Sequence, residues 1–420
     1  MNLPRATDVV VVGAGQAGLA MSYFLQQAGR EHVVLERRGS LGGGWQDRWD
    51  AFRLVSPNWT ASFPGRPYDG DDPSGFMPRG EIAARVAAYG DAIAAPVVTD
   101  AAVARLAARS DGGFRLETGQ GSVDSRHVVI ATGGFHVPKV PIVSEQLQGI
   151  TQVHSHDYRN PASLPDGAVL VVGSGQSGVQ IAEELAEAGR EVYLSVGSAD
   201  RLPRRYRGRD IFEWFKAVAT EGPRFGLRFP SVDQMPDPRM RLQGNAALSG
   251  HHGGHETNLR RFAAARKMTL LGRIRGLDGR TLLLDADLPR NLAKADQWFD
   301  LRLRPLIDGF IAKAQVDAPP DDREPFTYEP PVLQEVNVAA AGITAVVWAT
   351  GYSRDYGWID LPITDEHGFP RQTAGASDVP GLFFLGSLWQ TSIVSATLFG
   401  PMVDGPAVLG SMGIGPVAAA

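Results

Sequence analysis

Two stretches of the chain repeat one pattern of hydrophobic and polar positions. Residues 9–36 read VVVVGAGQAGLAMSYFLQQAGREHVVLE, and residues 169–195 read VLVVGSGQSGVQIAEELAEAGREVYLS. Each begins with an apolar run, continues through G-x-G-Q-x-G into a stretch that is apolar on one face, and ends in a second apolar run after A-G-R-E. This pattern predicts a buried strand, a turn, an amphipathic helix and another strand. The unit is used twice.

The glycines of both turns stand where a bound dinucleotide needs them. The first allows the tight turn, the second lets backbone approach a pyrophosphate, and the third lets the helix pack closely on the strand. The helix N-terminus then offers free N–H groups to the phosphates. Two tight turns of an α/β sheet are the alternative, but the duplication favours dinucleotide binding. The predicted contact residues are Gly13, Gly15, Gln16, Ala17 and Gly18, and Gly173, Ser174, Gly175, Gln176, Ser177 and Gly178.

The ends of the two units are expected to differ. The first ends at Glu36, whose carboxylate would accept hydrogen bonds from adenosine ribose hydroxyls. We expect Ser195 at the matching position of the second unit, where no carboxylate would repel a 2′-phosphate. Arginines follow from residue 201 to residue 209, and of these Arg204 and Arg205 are predicted to hold that phosphate. The second site is therefore expected to favour NADPH over NADH, with a solvated basic loop as the alternative.

Composition narrows the class of protein. The chain has 420 residues, enough for two or three domains, and a formal net charge of -5, which gives no reason to expect nucleic acid as a partner. Neither a membrane span nor a signal peptide is predicted, so we expect a cytoplasmic protein. The chain contains no cysteine, which excludes disulfides, cysteine metal sites and a redox-active dithiol.

Two apolar segments, HVVIATG (127–133) and AVVWATG (345–351), end in Ala-Thr-Gly, and GLFFLGS (381–387) resembles them. Small residues there let backbone run close to a cofactor. We predict an α/β fold of two Rossmann-like dinucleotide-binding domains, the second inserted in the first. The first covers residues 1–161 and 344–420, and the second covers 162–343, with a strand at 281–284 and a helical or loop substrate region at 206–265. The cofactor-facing residues would be Ala131, Thr132, Gly133, Thr350 and Gly351.

The motifs GAGQAG (13–18), GGGWQDRWDAFRLVSP (42–57), ATGG (131–134), GSGQSG (173–178) and WATGY (348–352) together resemble class B flavin-dependent monooxygenases. That family includes flavin-containing, indole-pyruvate and Baeyer–Villiger monooxygenases. The resemblance implies FAD in the first fold, NADPH in the second, and O2 with a small organic substrate. It also implies that NADPH reduces the flavin, which then oxygenates the substrate through a C4a-(hydro)peroxyflavin.

Further residue roles follow from position in the chain and from that resemblance. Arg37 would join Glu36 at the FAD adenosine, while Val103 would either contact adenine through its backbone or be plain core. Asn58 would steady the flavin hydroperoxide or else form an Asx turn after Pro57. The residues expected near the flavin are Gly44, Trp45, Arg53, Leu54 and, in the segment 390–397, Gln390.

The family's linker fingerprint is present with one departure. Leu147, Gly149, His154 and Tyr158 occur in its order, but four residues separate Gly149 from His154, one more than the family has. Tyr158 followed by arginine resembles the heteroatom-oxidising or decarboxylating branch. Aromatic residues in 206–265 suggest an apolar or aromatic substrate, and core packing explains most of them as well.

Several alternatives stay open at this point. Disulfide reductases share this architecture but need a redox cysteine pair, which the chain lacks. An NADPH oxidase, another FAD-dependent NADPH reductase and a non-enzymatic dinucleotide sensor remain, as does a homodimer. The histidines at 251, 252 and 255 suggest metal ligands, but no H-E-x-x-H motif accompanies them, and we predict no metal.

Overall fold

The computed structural model describes residues 2–197, 200–235, 237, 241 and 246–415. Its helices are α1 (Gln16–Gln27), α2 (Arg79–Ala92), α3 (Gln176–Glu187), α4 (Ile211–Thr220), α5 (Leu259–Ala264), α6 (Leu288–Arg302), α7 (Arg304–Ala314) and α8 (Gly400–Ser411). Its strands are β1 (Ala6–Val12), β2 (His32–Leu35), β3 (Val97–Val98), β4 (Val103–Ala108), β5 (Phe114–Thr118), β6 (Gly121–Ile130), β7 (Val137–Pro138), β8 (Thr151–His154), β9 (Ala168–Val172), β10 (Val192–Ser195), β11 (Arg205–Tyr206), β12 (Arg209–Asp210), β13 (Leu248–Ser249), β14 (His255–Glu256), β15 (Thr269–Leu271), β16 (Ile274–Asp278), β17 (Thr281–Leu284), β18 (Glu335–Asn337), β19 (Ile343–Trp348), β20 (Tyr352–Ser353), β21 (Gln372–Thr373), β22 (Ala376–Ser377) and β23 (Leu382–Phe384).

The first sheet is built around β1, the opening strand of the first repeat. Its order is β21-β22-β23-β6-β1-β2-β3, and β5 and β4 continue from β6. Helices α1 and α8 pack on the face that carries Val9 and Val11, while β4 and β5 cover the face of Val10 and Val12. A parallel strand covered on both faces is apolar throughout, which explains the uninterrupted valines.

The second sheet is built around β9 and β19. Its order is β15-β10-β9-β19-β8, and all of its pairs are parallel. Helices α3, α5 and α6 cover one face, and the antiparallel sheet β16-β17-β18 covers the other. The predicted fold class, α/β with two dinucleotide-type units and the second inserted in the first, is confirmed. The predicted strand 281–284 is β17.

The strand that carries the second Ala-Thr-Gly does not return to the first sheet. We expected residues 344–420 to rejoin the first domain there, but β19 pairs with β9 (Trp348 opposite Val172) and with β8. Strand β8, inside the predicted range 1–161, is likewise part of the second sheet. These assignments were wrong because an apolar strand carries no mark of its partner, and the tertiary structure selects it. Strands β21 to β23 do join the first sheet.

A helical layer of α4, α6 and α7 lies beside the second sheet. Its core contains Tyr206, Trp214, Phe299 and Phe310, with Val394 of the first domain packed against it. The aromatic residues of the 206–265 segment are thus mostly buried in this core, as the packing alternative predicted. Among the residues that the structure describes, no helix is long and apolar enough to cross a membrane.

Candidate active site

The two glycine turns share one local geometry. A Cβ on Gly13 would lie 2.7 Å from the carbonyl oxygen of Ala131, and one on Gly173 would lie 2.5 Å from that of Ala349. Each turn therefore rests on its own Ala-Thr-Gly strand. The third glycines, Gly18 and Gly178, are tighter still, since an added Cβ would lie 1.8 Å from a backbone oxygen of the same turn. These positions require glycine for steric reasons.

Both helices that follow the turns begin with open N-termini. Gly15 and Gly175 are the extended N-cap residues of α1 and α3, and within the described residues no side chain caps either helix and no acidic side chain lies in its first turn. The first N–H groups of such a helix lack intrahelical partners and attract an anion. Both turns can therefore hold a pyrophosphate, which is the fit expected of a dinucleotide.

The glutamines of the two turns tie them to distant segments. Gln16 accepts a hydrogen bond from Trp45 Nε1 (2.8 Å) and donates to the Thr397 carbonyl (3.1 Å). Gln176 accepts from the backbone N–H of Leu248 (3.0 Å) and donates to its carbonyl. Their side chains are thus occupied, which leaves their backbone N–H groups as the donors available to an anion. Ala17, Ser174 and Ser177 lie on the same two turns.

Glu36 lies buried at the end of β2, where the sequence predicts it. Its carboxylate accepts hydrogen bonds from the backbone N–H groups of Ala14 (2.8 Å) and Arg38 (3.0 Å). Arg37 beside it is exposed. The Glu36 carbonyl accepts from Ala101 (2.8 Å), which brings the start of β4, and with it half-buried Val103, toward this end of the first site.

The register of the second unit corrects one prediction. Gly13 donates its N–H to Leu35, whereas Gly173 donates to Ser195, and Val12 pairs with Leu35 as Val172 pairs with Ser195. Ser195 is therefore the counterpart of Leu35, not of Glu36, and its hydroxyl is buried and donates to the Gly272 carbonyl (3.1 Å). The counterpart of Glu36 is Val196. The position still lacks a carboxylate.

Arg204 does not lie where a 2′-phosphate could reach it. It is 6% exposed, and its guanidinium donates to the Val55 carbonyl (2.6 and 2.8 Å) and lies over the ring of Phe76. It therefore joins the helical layer to the first domain. Arg205 is exposed on the β11–β12 hairpin, whose Tyr206 packs against Phe299. The prediction for Arg204 was wrong because the sequence does not show that this arginine is turned inward, toward the Val55 carbonyl.

The segment 42–57 crosses the first turn near its start and pairs with residues 76 and 77 near its end. A Cβ on Gly43 would lie 2.9 Å from Gly15, so this loop crosses the turn closely, with exposed Gly44 next to it. Arg53 donates to the Phe76 carbonyl (2.9 Å). Leu54 is buried and donates its N–H to Met77 (2.9 Å).

Arg48 is a site residue that the sequence reasoning missed. Its guanidinium lies 4.8 Å from the ring centroid of Phe135, just after the first Ala-Thr-Gly, and 5.9 Å from that of Trp45. Burial lowers the pKa of Arg48, and the neighbouring Tyr352 and Asp47 side chains oppose that shift. An arginine remains charged under such conditions. A fixed positive charge therefore stands where the two Ala-Thr-Gly loops meet.

Asn58 is not free to face a flavin. Its carboxamide oxygen accepts from the N–H of Met77 (2.6 Å), and its Nδ2 donates to the Asp72 carbonyl (2.9 Å). The side chain is buried and holds the loop that returns to α2. The catalytic role predicted for Asn58 is therefore not supported, since both ends of the amide are already used.

Each Ala-Thr-Gly loop is bonded to one histidine. His154 bonds through Nε2 to the Gly351 carbonyl (3.0 Å), and His136 bonds through Nε2 to the Gly133 carbonyl (2.9 Å) and lies 3.3 Å from the Thr132 hydroxyl. Burial lowers the pKa of both histidines. Each Nδ1 accepts a backbone N–H, which fits a neutral ring protonated on Nε2. Thr350 donates its hydroxyl to the Lys139 carbonyl.

The segment after β23 contacts the first turn, where the Thr397 carbonyl accepts from Gln16 (3.1 Å). Gln390 is buried, and neither end of its carboxamide has a hydrogen-bond partner among the described residues. Next to it, Thr391 donates to Asp404 Oδ1 (2.6 Å) and lies 3.2 Å from the Ser395 hydroxyl. Burial raises the pKa of Asp404. An unpartnered buried amide such as that of Gln390 is expected beside a polar ligand or water.

The histidines after β13 pair with α3. His252 Nε2 lies 2.8 Å from Glu187, and His255 Nε2 lies 3.0 Å from Glu183, a contact that raises the pKa of His255. Within the described part of the chain, no cluster of three or more His, Asp or Glu side chains is placed to hold a metal ion.

Comparison with known proteins agrees with this architecture. The family described as pyridine nucleotide-disulphide oxidoreductase matches residues 10–207. A protein of Geobacillus kaustophilus described as an uncharacterized CzcO-like oxidoreductase is 30% identical over 405 residues, 96% of this chain and 97% of its own. The chain belongs to the CzcO-like oxidoreductases.

Two further relatives are flavin monooxygenases. The rice indole-3-pyruvate monooxygenase YUCCA1 is 30% identical over 287 residues, 66% of this chain and 65% of its own. A solved flavin-containing monooxygenase from Stenotrophomonas maltophilia has a TM-score of 0.66 and 22% identity, and the match covers 98% of this chain and 99% of that one. The resemblance drawn from the sequence motifs is thus confirmed, and the structural likeness supports the two-domain fold.

Proposed function

We propose that this protein is a flavin-dependent monooxygenase that binds FAD at the first glycine turn and NADPH at the second. Overall, NADPH, a proton, O2 and the substrate would give NADP⁺, water and a product with one added oxygen atom. The observation that carries the proposal is the pair of open glycine turns, each resting on its own Ala-Thr-Gly strand, in a chain without cysteine. The chain has no dithiol that could take electrons from the flavin, so those electrons must pass to another acceptor.

The chain's own residues would bind, orient and exclude water. The turns would hold the pyrophosphates, and Glu36 would accept from the FAD ribose. When bound, the flavin would take hydride from the nicotinamide and reduce O2. Arg48 supplies a fixed charge beside Phe135 and Tyr352, where the two loops meet. His136 and His154 would position these loops through their bonds to the Gly133 and Gly351 carbonyls.

The substrate is proposed to be small and apolar or aromatic. Half-buried Val55, Trp59 and Ile393 line the junction between the helical layer and the first domain. Ser392 pairs with Ser231 across the same junction, which links the segment after β23 to the 206–265 region. Apolar lining with a few polar groups is the usual character of a ligand pocket.

The test is a substrate screen on the FAD-loaded protein that follows NADPH oxidation, O2 uptake and product mass together. The proposal expects at least one apolar substrate whose product gains one oxygen atom, with little hydrogen peroxide released. Peroxide formed in proportion to NADPH whatever the substrate would indicate an oxidase. Failure of NADPH to bleach the flavin without O2 would leave a dinucleotide sensor.

A further inference from the structure

The chain that follows β10 does not itself supply a cation for a 2′-phosphate. Val196 occupies the position of the first unit's carboxylate, and residues 197–199 are Gly-Ser-Ala. The next cation in sequence, Arg201, is paired with Asp296 (2.8 Å) and Glu256 (3.2 Å). Positive charge must therefore reach this end of the second site from another element if the bound nucleotide carries a 2′-phosphate.

Helix α6 lies against this position. Asn291 Nδ2 donates to the Val196 carbonyl (3.1 Å) and to Asp287 Oδ2 (2.9 Å). Asp287 Oδ1 accepts from the N–H of Arg273 (3.0 Å), just beyond the Gly272 carbonyl that Ser195 contacts. One set of hydrogen bonds thus joins the start of α6 to the end of β10 and to the residues that follow β15.

Three cationic side chains lie beside these hydrogen-bonded residues, each more than 3.5 Å from one of two carboxylates. Arg273 Nε lies 3.6 Å and Arg290 NH2 3.7 Å from Asp287 Oδ2, and Lys294 Nζ lies 3.7 Å from Asp200 Oδ1. Charge-assisted hydrogen bonds are typically near 2.8 Å, so these side chains can turn to another anion. Both carboxylates are buried, whereas the cations are 43% to 76% exposed. Solvent therefore reaches all three cations, and an anion can approach them.

We propose that Arg273, Arg290 and Lys294 recognise the 2′-phosphate of NADPH and so set the preference of the second site for NADPH over NADH. The inference rests on the proposed function, because it assumes that the second turn binds a nicotinamide dinucleotide. A guanidinium can bind two phosphate oxygens at once, and an ammonium adds a point charge. Because Arg290 and Lys294 lie on α6 and Arg273 follows β15, the nucleotide preference would be carried by residues outside the repeated unit.

The experiment measures binding, not turnover. NADP⁺ and NAD⁺ are titrated calorimetrically into the oxidised, FAD-loaded protein and into Arg273→Ala, Arg290→Ala, Lys294→Ala and the triple variant. Arg126→Ala is the control, since Arg126 is 75% exposed and 3.8 Å from one carboxylate, whereas Arg290 is 76% exposed and 3.7 Å from one. We expect each single variant to weaken NADP⁺ binding about 3- to 10-fold and the triple variant about 100-fold, in keeping with charge-assisted contacts.

In the same titrations, NAD⁺ affinity should stay within about twofold, as should both affinities of Arg126→Ala. Equal weakening of NADP⁺ and NAD⁺ would overturn the proposal, because it would indicate damage to the whole second site. Unchanged NADP⁺ binding in the triple variant would overturn it as well, as would a wild-type protein that prefers NAD⁺. A protein that binds both nucleotides but never oxygenates a substrate would refute the proposed monooxygenase and leave this inference standing.

Discussion

Replacing the third glycine of either turn should impair binding at that turn and leave the other turn intact. Gly178→Ala places a methyl group 1.8 Å from the Gly173 carbonyl oxygen and 3.1 Å from Ala349 Cβ, and Gly18→Ala makes the same clash with Gly13. The nearest atoms are backbone carbonyl oxygens, so no side-chain rotation can relieve the overlap. The helix must instead move away from its strand.

The size of that movement follows from the contact distance. Carbon and oxygen atoms of this kind do not normally approach within about 3 Å, so the helix must retreat by roughly 1 Å. Overpacking of this kind typically costs about 1–3 kcal/mol, and a displacement of about 1 Å at a binding site costs on the order of 100-fold in function. We therefore expect Gly178→Ala to weaken both NADP⁺ and NAD⁺ binding about 100-fold while FAD is retained, and Gly18→Ala to lose FAD.

The assay is flavin absorbance per chain after gel filtration, followed by nucleotide titration. Gly80→Ala is the matched control, because Gly80 lies within α2 and a Cβ there meets no atom within 4 Å. It should keep both ligands and gain up to about 1 kcal/mol of stability. The reasoning fails if Gly178→Ala binds nucleotides as the wild type does, or if it releases FAD while Gly18→Ala keeps it.

Two further predictions concern buried polar side chains. Asn58→Ala leaves the Met77 N–H without its partner and should lower the free energy of unfolding by about 1–3 kcal/mol in urea titration. Turnover per bound flavin should stay within about twofold. A large loss of turnover in a stable variant would instead indicate a catalytic role for Asn58. Burial raises the pKa of Glu184 from 4.5 to about 7, against the opposing effect of Tyr158. The folded protein then holds a proton that the unfolded chain releases, so stability falls as pH rises from 4.5 to about 7. Glu184→Gln should lack this fall, and its urea midpoint relative to wild type should be higher at about pH 8 than at about pH 5; equal differences at the two pH values would contradict the assignment.

Local patterns identified much of the candidate site. The glycines of both turns, Glu36 and the Ala-Thr-Gly strands are each fixed by a few neighbouring residues, because turn geometry and strand burial are local requirements. The resemblance to flavin monooxygenases rested on the same motifs. Where the prediction failed, it depended on long-range contacts. Strand β19 joined the second sheet, and Arg204 was drawn to the Val55 carbonyl.

The sequence by itself determined that this chain contains two dinucleotide-type units and no thiol chemistry, since glycine geometry, apolar periodicity and the absence of cysteine can be read along the chain. Only the tertiary structure decided which residues surround those units. The folded structure brings Arg48 into contact with Phe135, His154 with Gly351, and Asn291 with Val196, although each pair is far apart in sequence. Such contacts are made by packing of whole elements, whose partners no local pattern specifies.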